Sequence, residues 1–268
     1  MKGAVMVVEN TKKDAVHAAA QRGYANEAQT YARGRPDYPA ALSAWLGQTL
    51  GLGPGRQVAD VGAGTGKFTA LLAATGAGVV GVEPVDAMRA RIDALQLPTV
   101  RAVAGTAQAI PLPSGALDAV VCAQAFHWFA TSESLDEFHR VLRPGGRLGL
   151  VWNVRDESVD WVAELTDIIT PFEGDAPRFY KGDWRRPFPH PGFSPLAETR
   201  LPHEHVGPPQ QVIMDRFMSV SFIAALPDSE RAQVRARIEA LIAHHPALRG
   251  QGTVRFPYTT LAYHCERV

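Results

Sequence analysis

The 268-residue sequence predicts an α/β fold built on a doubly wound, mostly parallel sheet of seven strands with a small helical cap and lobe. Three observations carry that expectation. Between Gln57 and Asn153, short Val- and Ala-rich runs alternate with segments of helical periodicity, the pattern of buried parallel strands joined by crossover helices. At its head, Val58 to Lys67 reads as a strand, a glycine-rich turn and a helix start. Two apolar runs near the C-terminus, Phe193 to Leu201 and Thr253 to Cys265, have the composition of late strands that finish the sheet as an antiparallel edge.

In chain order, Pro39 to Leu50 carries Leu42, Trp45, Leu46 and Leu50 at helical spacing, and Leu52-Gly53-Pro54-Gly55 ends it. Strands follow at Gln57 to Val61, Gly78 to Val82, Val100 to Ala104, Asp118 to Ala123 and Arg147 to Trp152. Helices are expected over Lys67 to Ala74 and Asp86 to Leu95. A third, Leu135 to Leu142, follows a Ser134/Glu137 capping-box spacing and stops at Arg143-Pro144-Gly145-Gly146. Beyond Asn153, helices are expected over Trp161 to Ile169, Gln210 to Ala225 and Ser229 to His244, the last with Asp228 as N-cap. Pro187 to Pro209 holds seven prolines, so it cannot be regular throughout and is a candidate substrate loop. The organisation is one domain in three stretches: cap helices over residues 1–50, a cofactor-binding core over 51–155, and a helical lobe with the last strands over 156–268.

Composition narrows the function. Lys plus Arg and Asp plus Glu both number 27, so no broad basic field exists to attract a phosphate backbone, and nucleic acid is a disfavoured partner. No apolar run reaches the length of a membrane span or a secretory core, and a cytoplasmic location is expected. Cys122 and Cys265 lack the spacing of a zinc or iron–sulfur site. His203 and His205 share one strand face without a third partner, so no metal is expected and solvated histidines are the simpler reading.

The chemistry sits in Val58-Ala59-Asp60-Val61-Gly62-Ala63-Gly64-Thr65-Gly66-Lys67. A dinucleotide fingerprint spaces its glycines G-x-G-x-x-G, and here Lys67 stands at the third glycine. A P-loop needs glycine at Val61 and Ser or Thr at Phe68. Asp60, just before the first glycine, would repel a pyrophosphate and attract an ammonium or sulfonium group. Glu83, about 20 residues after Gly62, stands where an acidic side chain accepts ribose hydroxyls. A cationic amino-acid tail on adenosine satisfies both, and S-adenosylmethionine is the common metabolite with those parts.

With Gly105-Thr106-Ala107-Gln108-Ala109-Ile110-Pro111-Leu112-Pro113, Gln124-Ala125-Phe126-His127-Trp128-Phe129 and Arg140-Val141-Leu142-Arg143-Pro144-Gly145-Gly146 in the same order, the sequence resembles the class I S-adenosylmethionine-dependent methyltransferases, in their small-molecule branch. The resemblance is strong over Tyr24 to Asn153 and looser through Leu226-Pro227-Asp228 and Phe256-Pro257-Tyr258. It implies a Rossmann-like fold in which Asp60, Gly62, Gly64 and Gly66 hold the methionine end and Glu83 the ribose. Met88 would pack on adenine, and Thr106 and Ala107 stand at the adenine edge, where the family commonly has an acidic residue before the Ala. Gln124 would contact the methionine moiety. Tyr31 and Arg35 would close over the cofactor from the N-terminal cap, Arg35 pairing with its carboxylate.

Methyl transfer is an in-line displacement, so positioning and desolvation matter more than a nucleophilic residue. The expected reaction is therefore transfer to a small organic acceptor. His127 is the candidate general base, against the plainer reading that the His-Trp pair only packs in its turn. Arg178, Lys181, Arg185 and Arg186 gather near Trp184, either to recognise an acidic acceptor or as a solvated face. Two alternatives remain: a methyltransferase of nucleic acid or protein, which the Gln-Ala-Phe-His-Trp segment and neutral charge disfavour, and a catalytically silent cofactor-binding protein.

Overall fold

The computed structural model describes residues 34–268. Its sheet has seven strands: β1 (Gln57–Val61), β2 (Gly78–Val82), β3 (Val100–Val103), β4 (Leu117–Ala123), β5 (Leu142–Arg155), β6 (Ala197–Gly207) and β7 (Val254–Glu266). They lie in the order β3-β2-β1-β4-β5-β7-β6. The first five pair in parallel, and β7 runs antiparallel to both β5 and β6. Chain order reverses direction between β1 and β4. In such sheets, ligands bind in the crevice that opens at this switch, beyond the carboxyl ends of the strands.

Alternate residues of each strand feed opposite faces. Ala59, Val61, Val80, Val82 and Val120 pack with α4 (Ser132–Val141), while Val58, Val79, Ala119 and Val121 pack with α1 (Ala41–Gln48) and α2 (Lys67–Ala73). Gly149 of β5 permits the close approach on the α1 side, because a Cβ there would stand 2.8 Å from Leu50 and 3.2 Å from Trp45. A third core gathers the lobe: α5 (Asp160–Ile169), α6 (Arg216–Met218), α7 (Ser221–Ala224) and α8 (Asp228–His244) close on Phe256 and Tyr258 of β7.

Several elements depart from the sequence expectation. The helix expected from Leu135 begins at Ser132, because Thr131 is its N-cap and accepts from Ser134 N at 3.2 Å. Glu137 makes no capping box; it accepts from Ile110 N at 2.6 Å and pairs with Arg140, fastening the loop after β3. The single helix expected over Gln210 to Ala225 is broken into a π-helical turn, Gln210–Asp215, then α6 and α7, with Ser219 and Val220 between them. Pro227, not Asp228, occupies the N-cap of α8. The proline-rich stretch contains all of β6, whose Pro202 is tolerated because this is the sheet's edge strand. Phe193 makes only an isolated bridge to Arg267.

Candidate functional site

A cavity of about 340 Å3 opens at the switch between β1 and β4. Its floor is the turn after β1. Gly62 N and Ala63 N both donate to Val82 O, at 2.9 and 3.3 Å, which ties the turn to β2. Gly62 adopts φ +73°, and a Cβ there would stand 2.7 Å from that of Ala125, so only glycine fits. Gly64, at φ +56°, has nothing within 4 Å of a built Cβ, and its backbone is bare toward the cavity. Gly66 is different. It does not line the cavity, and a Cβ on it would stand 2.8 Å from Leu95 and 3.2 Å from Ile92. Expected with Gly62 and Gly64 at the methionine end, Gly66 is set back from the cavity and lets α2 start close against α3 (Asp86–Ala94).

Two carboxylates face this floor. Asp60 is buried at 1% exposure; Thr69 Oγ1 donates to its Oδ2 at 2.6 Å, and its Oδ1 has no hydrogen-bond partner among the described residues. Burial, reinforced by the nearby Glu83 charge and opposed by Thr69, pushes its pKa up to about 7. Glu83, at the carboxyl end of β2, accepts from Gly64 N at Oε2 and from Val85 N at Oε1, both at 3.0 Å. Burial raises its pKa, while those two bonds and Arg89 pull it back. Each oxygen of Glu83 retains acceptor capacity for a further donor.

Met88 is buried at 3% and lines the same cavity, as do Thr106 and Ala107 beyond β3. Thr106 Oγ1 is buried without a partner among the described residues. Gln124 follows β4 at φ +58°, uncommon for a residue with a Cβ, with its N–H donating to Val151 O at 2.8 Å. That conformation turns the chain into the wall formed by Ala125, Trp128 and Phe129.

Arg35 also lines the cavity, whereas Tyr31 lies outside the described residues. Sequence reasoning considered Lys67 only as a failed phosphate-binding lysine and gave Asn153 no role. Lys67 Nζ donates to Arg35 O at 2.5 Å and pairs with Asp37 at 2.9 Å; Asn153 Nδ2 donates to Asp37 O at 2.9 Å. Together they strap residues 35–37 over the turn. Tyr38 completes that wall and meets Phe68 edge-on at 4.8 Å. These pairings span distant parts of the chain and leave no local sequence signal.

His127 is placed otherwise than a base requires. It does not line the cavity, its Nδ1 accepts from Trp152 Nε1 at 3.1 Å, and burial with the charges of Arg178 and Arg35 pushes its pKa down to about 3. A nitrogen so reluctant to take a proton is a poor general base near neutrality. His203 and His205 are not the solvated pair expected: both are half-buried, with pKa values lowered by burial.

The site thus brings a glycine turn together with two buried carboxylates, Asp60 and Glu83, at the mouth of one cavity. Comparison with known proteins identifies the family. A family model for a methyltransferase domain matches residues 59–150. An uncharacterized methyltransferase-like protein of Schizosaccharomyces pombe is 34% identical over 88% of this chain and 92% of its own length. An uncharacterized methyltransferase of Mycobacterium tuberculosis is 40% identical over 86% of this chain and 90% of its own. Among solved structures, a protein of Anaeromyxobacter dehalogenans described as a type II methyltransferase superposes with a TM-score of 0.61 at 25% identity, covering 87% of this chain and 96% of that one. The chain belongs to the class I S-adenosylmethionine-dependent methyltransferases.

Proposed function

We propose that the protein transfers a methyl group from S-adenosylmethionine to a small organic acceptor. The observation that carries the reading is Asp60, a buried carboxylate with one oxygen unpartnered among the described residues, at the glycine turn beside Glu83. A buried acid so placed suits a cationic group and opposes a diphosphate.

S-adenosylmethionine, held by these residues, would supply a sulfonium methyl open to in-line displacement by an acceptor's lone pair. The chain's own part is positional. Asp60 and the backbone of Gly62 and Gly64 receive the methionine end, with Arg35 for its carboxylate and Gln124 alongside. Glu83, already held by two backbone N–H groups, receives the ribose hydroxyls. Met88, Ala107 and Thr106 enclose the adenine. Trp128 and Phe129 wall the cavity on the lobe side and exclude water there. His127 keeps Trp152 in place and takes no proton.

Two measurements test the reading. Calorimetry is expected to show uptake of S-adenosylmethionine and none of a nicotinamide dinucleotide. Labelled-methyl transfer against a panel of small metabolites is expected to yield a product and the demethylated cofactor. Tight dinucleotide binding, or cofactor retention without transfer to any panel member, overturns it.

A further inference from the structure

Beside the cofactor cavity, the described residues bury more positive charge than they match. Arg155 ends β5, two residues beyond the cavity-lining Asn153; Arg178 follows α5 in the lobe; Arg216 opens α6. Their side chains are 10%, 18% and, for Arg216 as a whole residue, 8% exposed. Arg155 stands 5.0 Å over the ring of Phe217, and Arg178 5.3 Å over that of Phe222. The acids nearby are already engaged. Glu173 is shared by Arg178 at 3.3 Å, Lys181 at 2.9 Å and Tyr180 Oη at 2.5 Å. Arg155 reaches Glu157 only at 3.7 Å, and that carboxylate is half exposed.

Arg216 makes no ion pair among the described residues, and its Nε and Nη1 are buried without a hydrogen-bond partner. Nη1 of Arg155 and the Tyr258 hydroxyl are buried and, among the described residues, unpartnered as well, and the register of β5 with β7 sets those two residues side by side. Burial and the charges of Arg35, Arg155 and Arg178 pull the pKa of Arg216 down to about 9. An unpaired buried guanidinium is strongly unfavourable, and an anion with two acceptor oxygens relieves it.

This cluster adjoins the cofactor cavity. A Cβ on Gly34 would stand 2.5 to 2.6 Å from the backbone of Asp215 and Arg216, so the strap that carries Arg35 lies directly on the segment that carries Arg216. Trp128 belongs to both regions, lining the cavity and packing on the lobe's core.

We infer that the methyl acceptor is a small carboxylate-bearing molecule whose anionic group is received by Arg155, Arg178 and Arg216, with the Tyr258 hydroxyl as a further donor. The inference rests on the methyltransferase reading above and names its acceptor class. The planar forks of three guanidiniums suit a carboxylate. Glu173 answers one of these three charges, so an excess remains that a small acid carrying one or two carboxylates matches. Trp128, which lines the cavity and packs on the lobe's core, is the apolar surface that faces the rest of the molecule.

The test uses the full chain loaded with the demethylated cofactor and titrated calorimetrically with benzoate, succinate and citrate, with their primary amides, and with phenyl phosphate. Labelled-methyl transfer is run on the same compounds. At least one carboxylate is expected to bind at least about tenfold more tightly than its amide and than phenyl phosphate. Arg216→Gln and Arg155→Gln are each expected to weaken that binding about tenfold or more while the Kd for S-adenosylmethionine stays within about twofold. Arg186→Gln, at an arginine 80% exposed, is expected to change neither. Should Arg216→Gln not fold, as judged by its melting curve, Arg155→Gln and Arg216→Lys carry the same readout. Equal binding of acid and amide, preference for phenyl phosphate, or undiminished carboxylate binding in the folded variants overturns the inference while cofactor uptake leaves the methyltransferase reading intact. Failure to bind S-adenosylmethionine overturns both.

Discussion

Trp152 Nε1 donates to His127 Nδ1 at 3.1 Å, which commits one nitrogen of the ring and, in the neutral form, puts the proton on the other. The pKa of His127 is about 3 in the fold against 6.5 for the free side chain. The unfolded chain therefore binds the extra proton first. The contribution of His127 to stability is complete above about pH 6.5 and is lost as pH falls toward about 3. His127→Ala is expected to leave the shape of the kcat/KM profile between about pH 6 and 8 unchanged and to lower stability by about 1–3 kcal/mol through the abandoned indole N–H. Denaturant unfolding and a pH–rate series check both; a lost inflection near pH 6.5 would restore the base.

Asp60 behaves in the opposite sense. Its pKa is raised from 3.8 to about 7, so the folded chain holds a proton that the unfolded chain has released, and stability falls as pH rises through that window. A cation bound at Oδ1 reverses the shift, so S-adenosylmethionine uptake at about pH 6.5 is expected to release a proton and to tighten as pH rises toward about 8. Calorimetric enthalpies in buffers of different ionisation heat measure that release. Asp60→Asn is expected to abolish it and to weaken binding about tenfold to a hundredfold.

Glu83 is held by Gly64 N and Val85 N, one bond to each oxygen. Glu83→Gln replaces one acceptor by a donor facing a backbone N–H. We expect a loss of about 1.5–3 kcal/mol in cofactor binding together with a lower Tm. Calorimetry and a thermal melt of the cofactor-free protein read the two separately.

The glycines of the turn separate folding from binding. Gly62→Ala drives a Cβ to 2.7 Å from Ala125 as well as imposing left-handed strain, and a loss of about 2 kcal/mol or more is expected. Gly64→Ala meets no atom within 4 Å, so the stability loss is limited to about 1–2 kcal/mol of strain, while its methyl intrudes on the cavity and weakens S-adenosylmethionine binding. Melting and binding curves of the two variants are expected to rank in opposite orders.

Lys67 Nζ couples Arg35 O and Asp37 to the turn. The ion pair is 31% and 88% exposed at its two ends, so Lys67→Met is expected to alter stability by at most about 1 kcal/mol. Loosening the strap is expected to speed cofactor dissociation several-fold, measurable by stopped-flow fluorescence; an unchanged dissociation rate shows that the strap does not close the cavity.

The sequence by itself determined the parallel core, because its strands and crossover helices are written in local periodicity, and β1 and β2 occupy the ranges their Val-rich runs mark. It also determined the pairing of Asp60 and Glu83 with the glycine turn, since all three lie within one β-α-β unit whose geometry follows from short spacings. Gly62 and Gly66 look alike in the motif, yet one fits against Ala125 and the other against Ile92 and Leu95, a distinction set by which helix each faces. The basic run near Trp184 was similarly mute. In the fold Arg178 turns inward, Arg185 stacks on Trp184 at 4.3 Å, and Arg186 stays 80% exposed beside Asp183. Only the tertiary structure joined Arg178 to Arg155 and Arg216. Burial and the matching of charge depend on which chain segments pack together, and no local spacing encodes that.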